Sequence, residues 1–179
     1  MELKNFIVME APVFFYLLLV LLVAASIHVA LMRDRTMRRA GEIFLLYILV
    51  GYCGVPQLAL GLWGLASPDR VAAMLGFPAG SPFQDFTGAS LVGMSVLSLL
   101  ALRYRGTFLL APAVCWSVFF AGATYAHLRA SVQHLQTVHH GAGPSHAALL
   151  HLFATHGLIS VLLVGALIAS GAWREKTVP

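Results

Sequence analysis

Seven of the eight histidines of this 179-residue chain lie between residues 127 and 156: His127, His134, His139, His140, His146, His151 and His156. Neutral imidazole binds zinc, copper, iron and nickel, and it is also an axial ligand of haem iron, so this stretch is where cofactor chemistry is sought first. His127 and His134 are seven residues apart, which puts them on one helical face with Trp116, Phe120 and Ala123. His151 stands at a depth similar to that of His127. His156 follows His151 by five residues, an advance of about 140° round a helix, so one straight helix cannot easily bring both to the same ion. Two chemistries fit His127 with His151, or with His156 in its place. One is a transition-metal ion completed by an oxygen of Asp85 or Asp69. The other is a b-type haem ligated between two helices and walled by Phe119, Phe120, Tyr125 and Phe153. Against both stands a plainer role, hydrogen-bonded histidines that tie helices together, with His139, His140 and His146 as a solvated loop.

Other chemistries lack their residues. No H-x-x-x-H, H-E-x-x-H or haem-attachment motif is present, and no Ser-His-Asp order, phosphate loop or paired-carboxylate motif can be placed. Cys53 and Cys115 form no C-x-x-C and read as buried free thiols. Asp85 and Asp69 each fall in the first turn of an expected helix, where the dipole favours a carboxylate without any ligand.

The elements that must carry these histidines follow from composition. Hydrophobic residues make up 59% and charged ones 10%, and mean hydropathy is +0.84, which excludes a large water-soluble catalytic domain. Apolar runs near the 20 residues that a bilayer demands give five expected transmembrane helices at about 12–32, 42–65, 82–102, 107–130 and 147–173. The expected fold is thus an all-α integral membrane protein, one membrane domain over 1–179. The first run lacks the basic start and cleavage site of a signal peptide and reads as a retained span. Pro56 predicts a kink in the second span. Ser67-Pro68-Asp69 opens a short interfacial helix over about 68–75, and Ser81-Pro82-Phe83-Gln84 opens the third span, with Gln84 at the capping-box position.

Basic residues set the orientation. Arg33, Arg35, Arg38, Arg39, Arg103, Arg105, Arg174 and Lys176 fall on one side, and Lys4, Arg70 and Arg129 on the other. This predicts an outer N-terminus, an inner C-terminus and a histidine-rich outer face. A formal charge of +4 distributed at the ends of apolar runs suits a membrane and not nucleic acid. Gly51, Gly54, Gly61 and Gly64 crowd the second span, and Ala89/Gly93 and Ala166/Ser170 are small pairs for helix packing, within the monomer or against a partner.

The run Gly76-Phe77-Pro78-Ala79-Gly80-Ser81-Pro82-Phe83-Gln84, with Arg105-Gly106 and Gly122 through His127, resembles a family of small bacterial integral membrane proteins of unknown function. The resemblance covers roughly residues 45 to 170. It implies a membrane fold and no particular activity. His127 matches a histidine of that pattern. An acidic residue of the pattern falls where this chain has Phe86, with Asp85 one place earlier. The histidines at 134, 139, 140, 146, 151 and 156 look like features of this chain and not of that pattern.

The functional expectation is a protein of the bacterial cytoplasmic membrane whose outer face binds a transition metal or haem b, as a binding or electron-transfer module. The alternative is a cofactor-free structural or assembly subunit of a larger membrane complex, in contact with lipid and with other subunits or its own copies. A small-solute transporter comes third, since the inner halves of the spans offer only His28, Glu42 and a few hydroxyls as a polar path.

Overall fold

The computed structural model describes the backbone of residues 3–75, 80, 82–137 and 146–172, and side chains at 13–71, 80, 82, 84–126, 128–129, 132 and 154–172. The described residues are helical and contain no strand. In chain order these are α1 (Leu3–Leu31), α2 (Met37–Leu46), a π-helical segment (Tyr47–Gly54), α3 (Val55–Ala66), α4 (Pro68–Leu75), α5 (Pro82–Leu100), a 3₁₀ turn (Gly106–Leu109), α6 (Leu110–Thr137) and α7 (His146–Ser170). Three stretches are long and apolar enough to cross a bilayer: Val13–Leu31, Met37–Ala66 and Gly106–Ala126.

Local chemistry sets the breaks. The Thr36 hydroxyl accepts from the Arg39 N–H at 3.3 Å and starts α2, with Arg38 paired to Glu42 at 3.5 Å one turn on. Before it, Arg35 donates to the carbonyls of Ala30 and Met32 and closes the last turn of α1. Where Pro56 predicts a kink, the second span widens into a π-helix. Val55 N–H donates to the Val50 carbonyl, five residues back. Pro56 has no N–H, and its ring would crowd the carbonyl of Tyr52; the wider turn moves that carbonyl aside. A carbonyl loosened in hydrocarbon needs another donor, and the Ser95 hydroxyl of α5 supplies one to Cys53 at 3.1 Å.

Packing follows small residues. A Cβ on Gly41 would run into the backbone of Ala169 and Ser170, so α2 and α7 touch backbone to backbone near the arginine-bearing end. Gly61 of α3 opposes Gly88 of α5. Gly51 seats Leu21 of α1, and Gly54 seats Leu99 of α5. These glycines of the second span therefore serve contacts within the monomer. The core between the helices is formed by Leu18, Leu45, Leu49, Tyr52, Leu91, Trp116, Phe120, Ile159 and Leu163. Large apolar side chains such as Val20, Val23, Val118, Val161 and Ile168 face outward, as suits a lipid solvent.

Candidate functional site

The histidine-bearing helices α6 and α7 pack as an antiparallel pair. Their register is fixed by the Ser160 hydroxyl donating to the Ser117 carbonyl at 3.3 Å, by Thr124 against Gly157, and by the His156 ring stacked on Phe120 with centroids 5.3 Å apart and planes at 24°. The buried row of α6 includes Ala113, Trp116 and Phe120, and position 127 lies two turns beyond Phe120 on the same face. The buried row of α7 runs through Thr155, Ile159 and Leu163, and position 151 continues it one turn toward the same end. Counted from the Phe120–His156 contact at 1.5 Å per residue, His127 lies roughly 10 Å and His151 roughly 8 Å along their helices, so the two backbone positions share a level. Their side chains lie outside the described residues, as do those of His134 and His146; His139 and His140 lie outside altogether.

His156 sits deeper, half-buried, in an aromatic cluster. Trp116 stacks on Phe120 at 5.2 Å, Phe119 meets both rings edge-on, and Tyr52 of the π-helix approaches Phe120 at 5.9 Å. The Trp116 indole N–H donates to the Ser98 hydroxyl at 2.7 Å, and that hydroxyl in turn donates to the Met94 carbonyl. Tyr125, expected as a haem wall, is 66% exposed and stands outside this cluster; the Phe153 side chain lies outside the described residues.

Asp85 is exposed in the first turn of α5. From the Ser98–Trp116 hydrogen bond, Asp85 is roughly 20 Å and His127 roughly 17 Å toward the same end, but Asp85 lies about 140° round α5 from the Ser98 face that meets α6, so the structure does not bring it to the histidine pair. Asp69 is engaged elsewhere: its Oδ1 accepts the Gly80 N–H at 2.8 Å and ties α4 to the start of α5. Among the described residues no three His, Cys, Asp or Glu side chains converge as a metal cluster.

Over residues 11–170 the sequence matches DUF6790, a family of unknown function. The chain belongs to this family. No curated protein and no solved structure matches it. Within this DUF6790 chain, two features escaped the sequence reading. His28 Nδ1 lies 3.3 Å from the Tyr47 hydroxyl, an interhelical pair at the arginine-bearing end. The second is the buried face of α5, which carries Gln84, Ser95 and Ser98 in place of aliphatic residues, while Gln57 is buried on α3. The i, i+11, i+14 spacing of polar positions 84, 95 and 98, which keeps all three on one helical face, was the available signal, masked by the apolar average of the helix.

Proposed function

We propose that this protein is a five-span bundle of a bacterial cytoplasmic membrane whose outer end holds a transition-metal ion on His127 and His151. Beside the three long stretches, α5 with 19 residues and α7 with 25 are long enough for the remaining crossings. The eight-to-three split of basic residues supports an outer N-terminus and an inner C-terminus. The observation that carries the metal reading is the shared level of positions 127 and 151, each continuing a buried helix row. Neutral imidazoles at that place suit zinc, copper, iron or nickel, and an ion there would fasten α6 to α7.

A b-type haem is less well supported. A porphyrin between two axial imidazoles needs helix axes well beyond the roughly 8–10 Å of direct packing. The α6–α7 seam is closed one turn away by Thr124 against Gly157. Elemental analysis and a visible spectrum of the purified full chain test the proposal. One equivalent of a transition metal and no Soret band is the expected result. Substoichiometric metal after incubation with zinc, copper, nickel and iron salts overturns it, and a Soret band replaces the ion by haem.

The cofactor-free subunit reading is favoured by one observation: Ala89 and Gly93 lie on the exposed face of α5, and a Cβ on Gly93 would meet nothing within 4 Å. That face is open to a partner helix. Transport ranks third. The buried polar stripe of α5 would be its path, and the Gly61–Gly88 contact closes that path.

A further inference from the structure

The connection between α1 and α2 carries more positive charge than the fold uses. Arg33, Arg35, Arg38 and Arg39 stand there against Asp34 and Glu42. Glu42 is taken by Arg38 at 3.5 Å, and Arg35 is held over the end of α1 by the carbonyls of Ala30 and Met32. Arg33 and Arg39 are exposed, and neither guanidinium has a hydrogen bond or ion pair among the described residues. With Asp34 offsetting one of the four arginines and Glu42 another, the connection keeps a positive surplus on its exposed surface.

The neighbouring residues set the depth of this surplus. His28, three residues before the end of α1, is exposed, and its Nδ1 lies 3.3 Å from the Tyr47 hydroxyl with the two rings edge-on at 5.9 Å. An imidazole and a phenol with wetted polar tips suit the layer where hydrocarbon gives way to headgroups. Arg35 binds the Ala30 carbonyl, two residues beyond His28, so the arginines begin at that layer. On the other side of it, Val20, Val23 and Ile27 are 63%, 58% and 55% exposed, and their spacing of three and four residues makes them one outward stripe of α1. A soluble anion would use the arginines and leave the stripe idle, whereas a phospholipid uses both. A zwitterionic headgroup brings its own ammonium to its phosphate; one of net negative charge gains the whole surplus.

We propose that the α1–α2 connection is a binding surface for an anionic phospholipid, with its phosphate on Arg33 and Arg39 and its acyl chains along Val20, Val23 and Ile27. The inference rests on the membrane reading, and it needs neither the metal site nor a particular orientation of the bundle. The purified full chain in bilayer discs of equimolar phosphatidylglycerol and phosphatidylcholine of equal chain length, read by native mass spectrometry for the lipids retained, tests it. An arginine near an anionic surface is worth about fivefold in binding, so the wild type should prefer phosphatidylglycerol by about 25-fold at low salt. Arg33→Gln with Arg39→Gln should abolish the preference, and Lys at both positions should keep most of it. Arg129→Gln removes one exposed charge at the opposite end of the bundle and should change nothing. Glycerol phosphate, which has the anion without the chains, should not displace the lipid. Equal retention of the two lipids by the wild type overturns the proposal alone, while a chain that enters discs of neither lipid overturns the membrane reading with it. A preference that survives the double Gln variant, that falls as far in Arg129→Gln, or that glycerol phosphate removes also overturns the proposal.

Discussion

Gly61 and Gly88 face each other across the α3–α5 crossing: a Cβ on Gly61 would lie 3.0 Å from the Gly88 carbonyl oxygen, and one on Gly88 would lie 3.2 Å from the Gly61 carbonyl oxygen. Lipid tails give apolar helices no hydrophobic reason to associate, so this approach of two backbones is a principal source of α3–α5 cohesion. It also carries α5 against the π-helix, where Ser95 reaches the Cys53 carbonyl.

Gly61→Ala should therefore destabilise the bundle. Its new methyl would stand 3.0 Å from the Gly88 oxygen, from Leu91 Cβ and from Val92 Cγ2, and the first two cannot swing away. Overpacking of this kind costs about 1–3 kcal/mol, visible as a lower thermal midpoint in detergent. Gly93→Ala, on the open face of the same helix pair, should leave stability unchanged or raise it by up to about 1 kcal/mol through helix propensity. Equal effects of the two substitutions would show that the crossing lies elsewhere.

The buried Trp116–Ser98 hydrogen bond gives a second expectation. Ser98→Ala strands the indole N–H in a core where Trp116 and Ser98 are both 0% exposed. A loss of about 1–2 kcal/mol is expected, and Trp116→Phe in the Ser98→Ala background should recover part of it. A double-mutant cycle measured by unfolding in detergent checks this; zero coupling would mean that the two side chains do not pair in the folded protein.

Much of the helix layout is legible in the sequence because apolar runs and Ser-Pro or Thr starts are local signals. The second span starts at Met37, capped by Thr36, ahead of the expected 42, whereas the stretch Pro68–Leu75 behind Ser67 is of this kind. The π-helix is not. Pro56 marks a disturbance, but whether the backbone kinks or widens depends on a donor 42 residues away, Ser95 on another helix. The fourth span also continues as helix to Thr137, beyond its apolar run, because a polar helix end needs no hydrocarbon around it. In the candidate site, the seven-residue spacing already puts position 127 on the face of Phe120. The stacking of His156 on Phe120 and the burial of Gln57 and Gln84 required the rotation of each helix about its axis, which an apolar average does not encode.

The proposed orientation makes a direct prediction. In a background lacking Cys53 and Cys115, a membrane-impermeant maleimide should label His140→Cys in intact cells and Thr36→Cys only after the membrane is opened. Positive-inside asymmetry is the sole basis for this assignment. Labelling of Thr36→Cys from outside would invert the bundle and place the histidines toward the cytoplasm.

Replacing His127 distinguishes the ion from a purely interhelical role. If His127 and His151 share a metal, His127→Ala and His151→Ala should each remove most of the bound metal. Each should also lower the thermal midpoint of the bundle, because the remaining imidazole is left unpaired in a low-dielectric place and the link between α6 and α7 is lost. His139→Ala, in the stretch that the sequence reads as a solvated loop, should keep metal and stability. His156→Ala should behave differently again: it removes the ring stacked on Phe120 and so costs stability, yet metal should stay bound, since position 156 faces about 140° away from 151. Asp85→Asn should leave both metal binding and the fold unaffected, because the carboxylate is exposed and turned away from α6. Interhelical hydrogen bonding alone would give another pattern: no stoichiometric metal in the wild type, and a loss of roughly 1 kcal/mol in His127→Ala. The decisive comparison is His127→Ala with and without added metal. A stability difference between wild type and variant that vanishes on chelation assigns His127 to an ion, and one that persists unchanged assigns it to the helix contact.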